Sequence, residues 1–255
     1  MKNNFSSPGF LWPLLVVFCL SVILYGLQQS LHKTNFERQK KQLIMLGTLL
    51  CFALWVTTLT VLSYKGFFAN FQQLPPRPVL AMLLPLPIIL LISFSSTGTQ
   101  ILKAVPPHGL IIMQSFRILV EVLIWFAVLA NKFPIQMSFE GRNFDILSGL
   151  LALVAAYLMV KKNYTSSKII IGYNVIGISL LFNILIVALL SMPTPIRYFM
   201  KEPSAELVAQ FPYILLPGVL VPIAYSFHIF SLRQVWLNQK YSLRQKASWL
   251  KMINI

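Results

Sequence analysis

Gly109–Asn131 reads GLIIMQSFRILVEVLIWFAVLAN. The stretch is apolar and long enough to cross a bilayer as a helix, for which about 20 residues suffice. Its middle nonetheless carries Arg117 and Glu121. Four residues apart on a helix, these two share a face, and Gln114 lies on the same stripe. A charge at mid-membrane costs roughly 2.5–3.5 kcal/mol on an insertion scale. The stripe therefore has to face protein or a water-filled cavity. Two readings follow. Arg117 and Glu121 form a structural ion pair that holds helices together, or they mark a substrate or proton site.

The rest of the chain fits the same environment. Of 255 residues, 57% are hydrophobic and only 11% are charged, and the mean hydropathy is +0.73. A soluble domain of this length carries about twice that share of charge. The expected fold is all-α, a polytopic integral membrane bundle of about seven transmembrane helices. The spans are expected over about Gly9–Leu27, Leu43–Tyr64, Val79–Phe94, Gly109–Ala130, Ile146–Val160, Ile169–Leu190 and Phe211–Leu232. The first block is not followed by a convincing small-residue cleavage site, so it reads as a retained helix. Pro85 and Pro87 must kink or break the third span, with a re-entrant segment as the alternative. The fifth is short and borrows Phe144 and Asp145 for its first turn, with Asn143 as its N-cap. Residues 1–232 then form the transmembrane domain. Residues 233–255 form a basic amphipathic tail, with Trp236, Leu243 and Leu250 on one face, as suits a helix on a membrane surface.

The formal net charge is +15, from 21 Lys and Arg against 6 Asp and Glu. With no soluble domain to carry a basic patch, this charge points to anionic lipid head groups at the basic loops and tail rather than to nucleic acid. Seven spans put 13 Lys and Arg on one side and 7 on the other, with Arg117 inside a span. The excess of positive charge places the N-terminus outside and the C-terminus in the cytoplasm.

The outer loop after the charged span contains Glu140, Arg142, Asn143 and Asp145. It is placed to fold over the mouth of a cavity faced by Arg117 and Glu121. The candidate substrate- or proton-binding residues are thus Gln114, Arg117, Glu121, Glu140, Arg142 and Asp145. An anion would suit Arg117 and Arg142, and a cation or proton would suit Glu121, Glu140 and Asp145. Asn174 and Asn183 read as interhelical hydrogen bonders, and His228 reads as an interfacial residue near the end of the last span. Asn163-Tyr164-Thr165 matches a glycosylation sequon, which the topology places on the cytoplasmic side.

The three histidines are scattered, and no metal-ligand spacing, phosphate-binding loop or nucleophile elbow is present. Cys19 and Cys51 both fall inside apolar blocks, so neither a disulfide nor a haem attachment is expected. No cofactor and no metal site is expected, and enzymatic activity has no support in the residues.

The combination Phe116-Arg117 with Glu121, followed by Glu140-Gly141-Arg142-Asn143-Phe144-Asp145, resembles uncharacterised multi-pass membrane proteins of bacteria. That resemblance implies a bacterial inner membrane and no mechanism. The expected function is a permease-like transporter of a small solute, ion or proton with its polar site on the fourth span. The alternative is a non-catalytic membrane subunit or sensor in which the charged pair is structural. A lipid-modifying enzyme using Glu140 or Asp145 as acid or base is a third reading.

Overall fold

In lipid, every backbone N–H and C=O needs a partner within the protein, which a helix supplies internally. A computed structural model describes residues 9–161 and 166–253, with side-chain surroundings through Lys240, and no strand occurs among them. Ten α-helices follow in order: α1 (Leu11–His32), α2 (Arg38–Tyr64), α3 (Arg77–Leu83), α4 (Pro85–Phe94), α5 (Ser96–Ala104), α6 (Pro107–Ile112), α7 (Phe116–Leu129), α8 (Ile146–Lys161), α9 (Ser167–Ser191) and α10 (Val221–Ile253).

These combine into six helical stretches long and apolar enough to cross a membrane: Leu11–His32, Arg38–Tyr64, Arg77–Phe94, Pro107–Leu129, Ser167–Ser191 and Leu216–Lys240. A seventh apolar helix, α8, is shorter. The sequon at Asn163 lies outside the described residues.

Three spans depart from regular helix, each for a local reason. In Arg77–Phe94 the ladder breaks at Leu84, which keeps helical dihedrals (φ −57°, ψ −36°). Pro85 and Pro87 offer no N–H to the preceding turn, and the Tyr225 hydroxyl donates to the Met82 carbonyl beside the break (3.0 Å). The charged span is α6 and α7 joined by a 3₁₀ turn at Met113–Ser115, so Gln114 sits in the turn and not on a regular α-helical face. The last span begins with a π-helical turn at Leu216–Leu220. There Pro222 cannot supply an α-helical donor to the Gly218 carbonyl, and the indole N–H of Trp55 on α2 donates to it instead (2.7 Å). A Cβ on Gly218 would stand 2.6 Å from Leu59 Cδ1, so glycine lets α2 come this close.

Two other features complete the order of helices. The polar stretch after Phe94 is a helix, α5, rather than a loop; the Ser95 side chain caps it by accepting from the Gly98 N–H (2.9 Å). The boundary at 232/233 falls inside α10, which runs unbroken to Ile253. Of the tail residues expected to share a face, Trp236 is half exposed; the side-chain surroundings of Leu243 and Leu250 lie outside the described residues.

The core gathers on the side of the bundle bearing residues 130–145 and 192–215. Trp12, Phe133 and Tyr213 meet there edge-to-face and tilted, with ring centroids 5.2–6.3 Å apart. The trio ties the start of α1 to both connecting segments.

Candidate functional site

Arg117 lies in the middle of the span Pro107–Leu129, about 15–18 Å from either end at 1.5 Å per residue. Its partner is Asp145 and not Glu121. Nε donates to Asp145 Oδ2 (2.7 Å), and Nη2 donates to Oδ1, a two-pronged ion pair. The expected Arg117–Glu121 ion pair is therefore corrected: among the described residues, Asp145 is the only carboxylate paired with Arg117.

This pairing explains why α8 is short. Asp145 immediately precedes α8, so that helix starts level with Arg117, at the middle of the span Pro107–Leu129. α8 packs on α6, the 3₁₀ turn and α7. The chain from Ala130 to Asp145 returns into the bundle instead of crossing its surface. Asn131 turns it with φ 56°, a left-handed conformation that asparagine tolerates. Phe133, Gln136, Met137, Ser138 and Asn143 are all buried along the way.

Asn143 fastens the end of this re-entrant segment. Its Oδ1 accepts from the Asp145 N–H (2.9 Å), a local turn that sets the start of α8. Its Nδ2 donates to the Met137 carbonyl (2.8 Å) and to Glu121 Oε1 (2.6 Å). The expected helix-capping asparagine thus also holds the second carboxyl group of the core.

The remaining donors of Arg117 are spent on three elements. Nη1 donates to Ser148 Oγ on α8 (2.6 Å) and lies 3.3 Å from the Gly177 carbonyl on α9. It also approaches His228 Nε2 on α10 (3.1 Å). A guanidinium has donors and no acceptor, so Nε2 must accept and the proton sits on Nδ1. Nδ1–H then donates to Asn174 Oδ1 (2.8 Å), whose Nδ2 donates to Ser231 Oγ and the Ile170 carbonyl (each 2.8 Å). His228 is 1% exposed, which corrects its reading as interfacial. The last span extends to Lys240, so residue 228 falls near its middle. Gly177 makes room for this contact: a Cβ there would stand 2.5 Å from His228 Cε1.

Glu121 stands apart. It is fully buried, one oxygen accepts from Asn143, and Oε2 has no hydrogen-bond partner. With Arg117 and Asp145 it lines a cavity of about 230 Å³ whose other walls are apolar. Val120 and Ile124 on α7, Leu185 on α9, Met82 on α3 and Leu220 in the π-turn are among them. Two further lining side chains on α9, Phe182 and Ile186, are 61% and 54% exposed. The cavity thus opens on the outer flank of α9.

The other expected site residues lie elsewhere. Gln114 is buried outside this cavity: Nε2 donates across to the Ala224 carbonyl (2.9 Å) and Oε1 is unpartnered. Glu140 and Arg142 are exposed, and Arg142 stacks over Phe199 at 5.3 Å. Asn183 reaches the Arg142 carbonyl (2.7 Å) rather than another helix, whereas Asn174 joins α9 to α10 as expected. Ser148, Gly177 and His228 are the polar-core residues that sequence reasoning missed or misread, and the bond from Asn143 to Glu121 was not foreseen.

A family model described as a domain of unknown function, DUF8737, matches residues 77–236. Every residue of the polar core and of the cavity falls inside that range, and the hairpin of α1 and α2 falls outside it. No curated protein and no solved structure matches the chain. With the matched region covering more than half of its length, the chain belongs to the family of the domain of unknown function DUF8737.

Proposed function

We propose that this chain is a permease-like membrane component that binds a small solute, an ion or a proton at Glu121. One observation carries the reading. The guanidinium of the core is fully engaged by Asp145 and its neighbours, while Glu121 keeps a free oxygen at a cavity. A buried ionisable group in a membrane is a functional candidate by default, and here the structural charge and the available one are separate residues. The arrangement favours a cation or a proton over an anion, because Arg117 has no donor left to offer one. Of the three charged groups expected in the outer loop, exposed Glu140 and Arg142 take no part, and Asp145 is held by Arg117. The setting is a bacterial inner membrane, with the N-terminus outside and the C-terminus in the cytoplasm, on the distribution of Lys and Arg.

The test is a thermal-shift screen of purified protein against alkali cations and small amines, comparing wild type with E121Q. The reading expects at least one stabilising ligand whose shift disappears in E121Q. Equal shifts in both proteins, or none, would count against it. A second reading, a non-catalytic subunit or sensor, draws on the saturation of Arg117, which is what a static core requires. It expects E121Q to behave as wild type in every assay.

A further inference from the structure

We infer that the ligand of the Glu121 cavity is a long-chain primary amine that enters sideways from the lipid, its ammonium on Glu121 and its chain along the apolar walls. This inference rests on the proposed role of Glu121 and names the chemical class it takes.

Three features of the site select that class. The first is sign: Glu121 Oε2 is buried and unpartnered, and Asp145 also lines the cavity, so the polar lining offers acceptors. Arg117 offers no spare donor, since its five N–H groups are aimed at Asp145, Ser148, Gly177 and His228. A carboxylate or phosphate head group would bring its negative charge against the carboxyl groups of Glu121 and Asp145.

The second is the apolar body. Apart from the polar lining, the walls include Val120, Ile124, Leu185, Leu189 and Leu220. At about 230 Å³ the space exceeds the roughly 150 Å³ apolar cavity that admits benzene. A hydrated ion or a small polar solute would leave these walls uncovered, whereas an alkyl chain covers them.

The third is the route. Phe182 and Ile186 line the cavity and are also exposed on the flank of α9, within the apolar span Ser167–Ser191. The mouth therefore faces the lipid layer. A neutral amine arriving through lipid and a protonated Glu121 combine by one proton transfer, from the carboxylic acid to the amine nitrogen. The product is the same ammonium–carboxylate pair that the two charged partners would form, so no net charge has to cross the apolar mouth.

The experiment measures thermal shifts of detergent-purified protein with four probes: decylammonium, decyltrimethylammonium, decanol and methylammonium. It uses wild type, E121Q and A188F, which fills the cavity from Ala188, a lining residue on α9. Decylammonium is expected to stabilise wild type saturably, with apparent affinity at least tenfold weaker in E121Q and in A188F. Decyltrimethylammonium, which has no N–H to give Oε2, and decanol are expected to bind wild type at least tenfold more weakly than decylammonium. Equal decylammonium binding by wild type and E121Q would overturn the inference, as would equal binding of the trimethyl compound. A Glu121-dependent shift with methylammonium but not decylammonium would also overturn it while leaving Glu121 as a cation site. If no probe gives a Glu121-dependent shift, the inference and the proposed role of Glu121 fall together. E121Q keeps an acceptor for Asn143, so it is expected to fold, and unliganded melting of both variants checks this.

Discussion

Arg117 reaches past Glu121, one helical turn away, to pair with Asp145, 28 residues along the chain. The consequence is a division of labour among three buried ionisable groups. Arg117 and Asp145 neutralise each other and organise α7, α8, α9 and α10 around them. Glu121 is left with a single neutral donor, Asn143.

The close approach of α9 to α10 depends on Gly177. G177A places a methyl group against the His228 ring, and overpacking of this kind costs about 1–3 kcal/mol. Gly172 on the same helix has open space around it. G172A is therefore expected to melt within a degree or two of wild type, and G177A several degrees lower. Parallel thermal melts of the two variants check the contact.

Trp55 answers a carbonyl that Pro222 cannot serve. W55F removes the indole donor and leaves the buried Gly218 carbonyl without this partner, at a cost of about 1–3 kcal/mol. P222A returns an N–H to that turn. The loss on W55F should shrink in a P222A background, as read from the melting temperatures of the four-member cycle.

Asn143 holds the re-entrant segment through three hydrogen bonds. N143A is expected to lower stability by about 1–3 kcal/mol for each buried group it strands. N143D should be worse, because it sets a third carboxyl group beside Glu121 and Asp145. Limited proteolysis within residues 130–145 should accelerate in both variants and is the direct readout.

The proposed orientation is testable at two exposed positions, Lys103 and Arg142. In a background with Cys19 and Cys51 replaced, R142C should react with a membrane-impermeant maleimide applied to intact spheroplasts. K103C should react only after lysis. The reverse pattern would invert the topology.

Much of this was legible in the residues. Long apolar blocks gave the helical spans, and the charges inside Gly109–Asn131 marked the centre of the polar core. What remained hidden depended on chain reversal. Helical spacing makes Glu121 the natural partner of Arg117, and nothing local reveals that residues 130–145 turn back into the bundle and bring Asp145 to mid-layer. His228 was misread because Arg233 looked like the end of a span that continues to Lys240. Ser148 and Gly177 carried no signal, since a serine or a glycine in an apolar helix is ordinary until its neighbours are known. The prolines told where helices depart from regularity, but not that Trp55 and Tyr225 would meet the carbonyls beside those sites.

The central claim is that the structural pair is Arg117–Asp145 and that Glu121 stands outside it. Two double-mutant cycles in detergent, read by thermal unfolding, test it most directly: R117M with D145N, and R117M with E121Q. Each of R117M and D145N should be strongly destabilising, by about 3–5 kcal/mol, because it strands a buried charge. E121Q should cost far less. The Arg117–Asp145 cycle should show a coupling within the roughly 0.5–3 kcal/mol range of contacting residues, the double mutant recovering part of the loss, and the Arg117–Glu121 cycle a much smaller one. A coupling to Glu121 as large as that to Asp145 would contradict the account, and Glu121 would then belong to the structural pair.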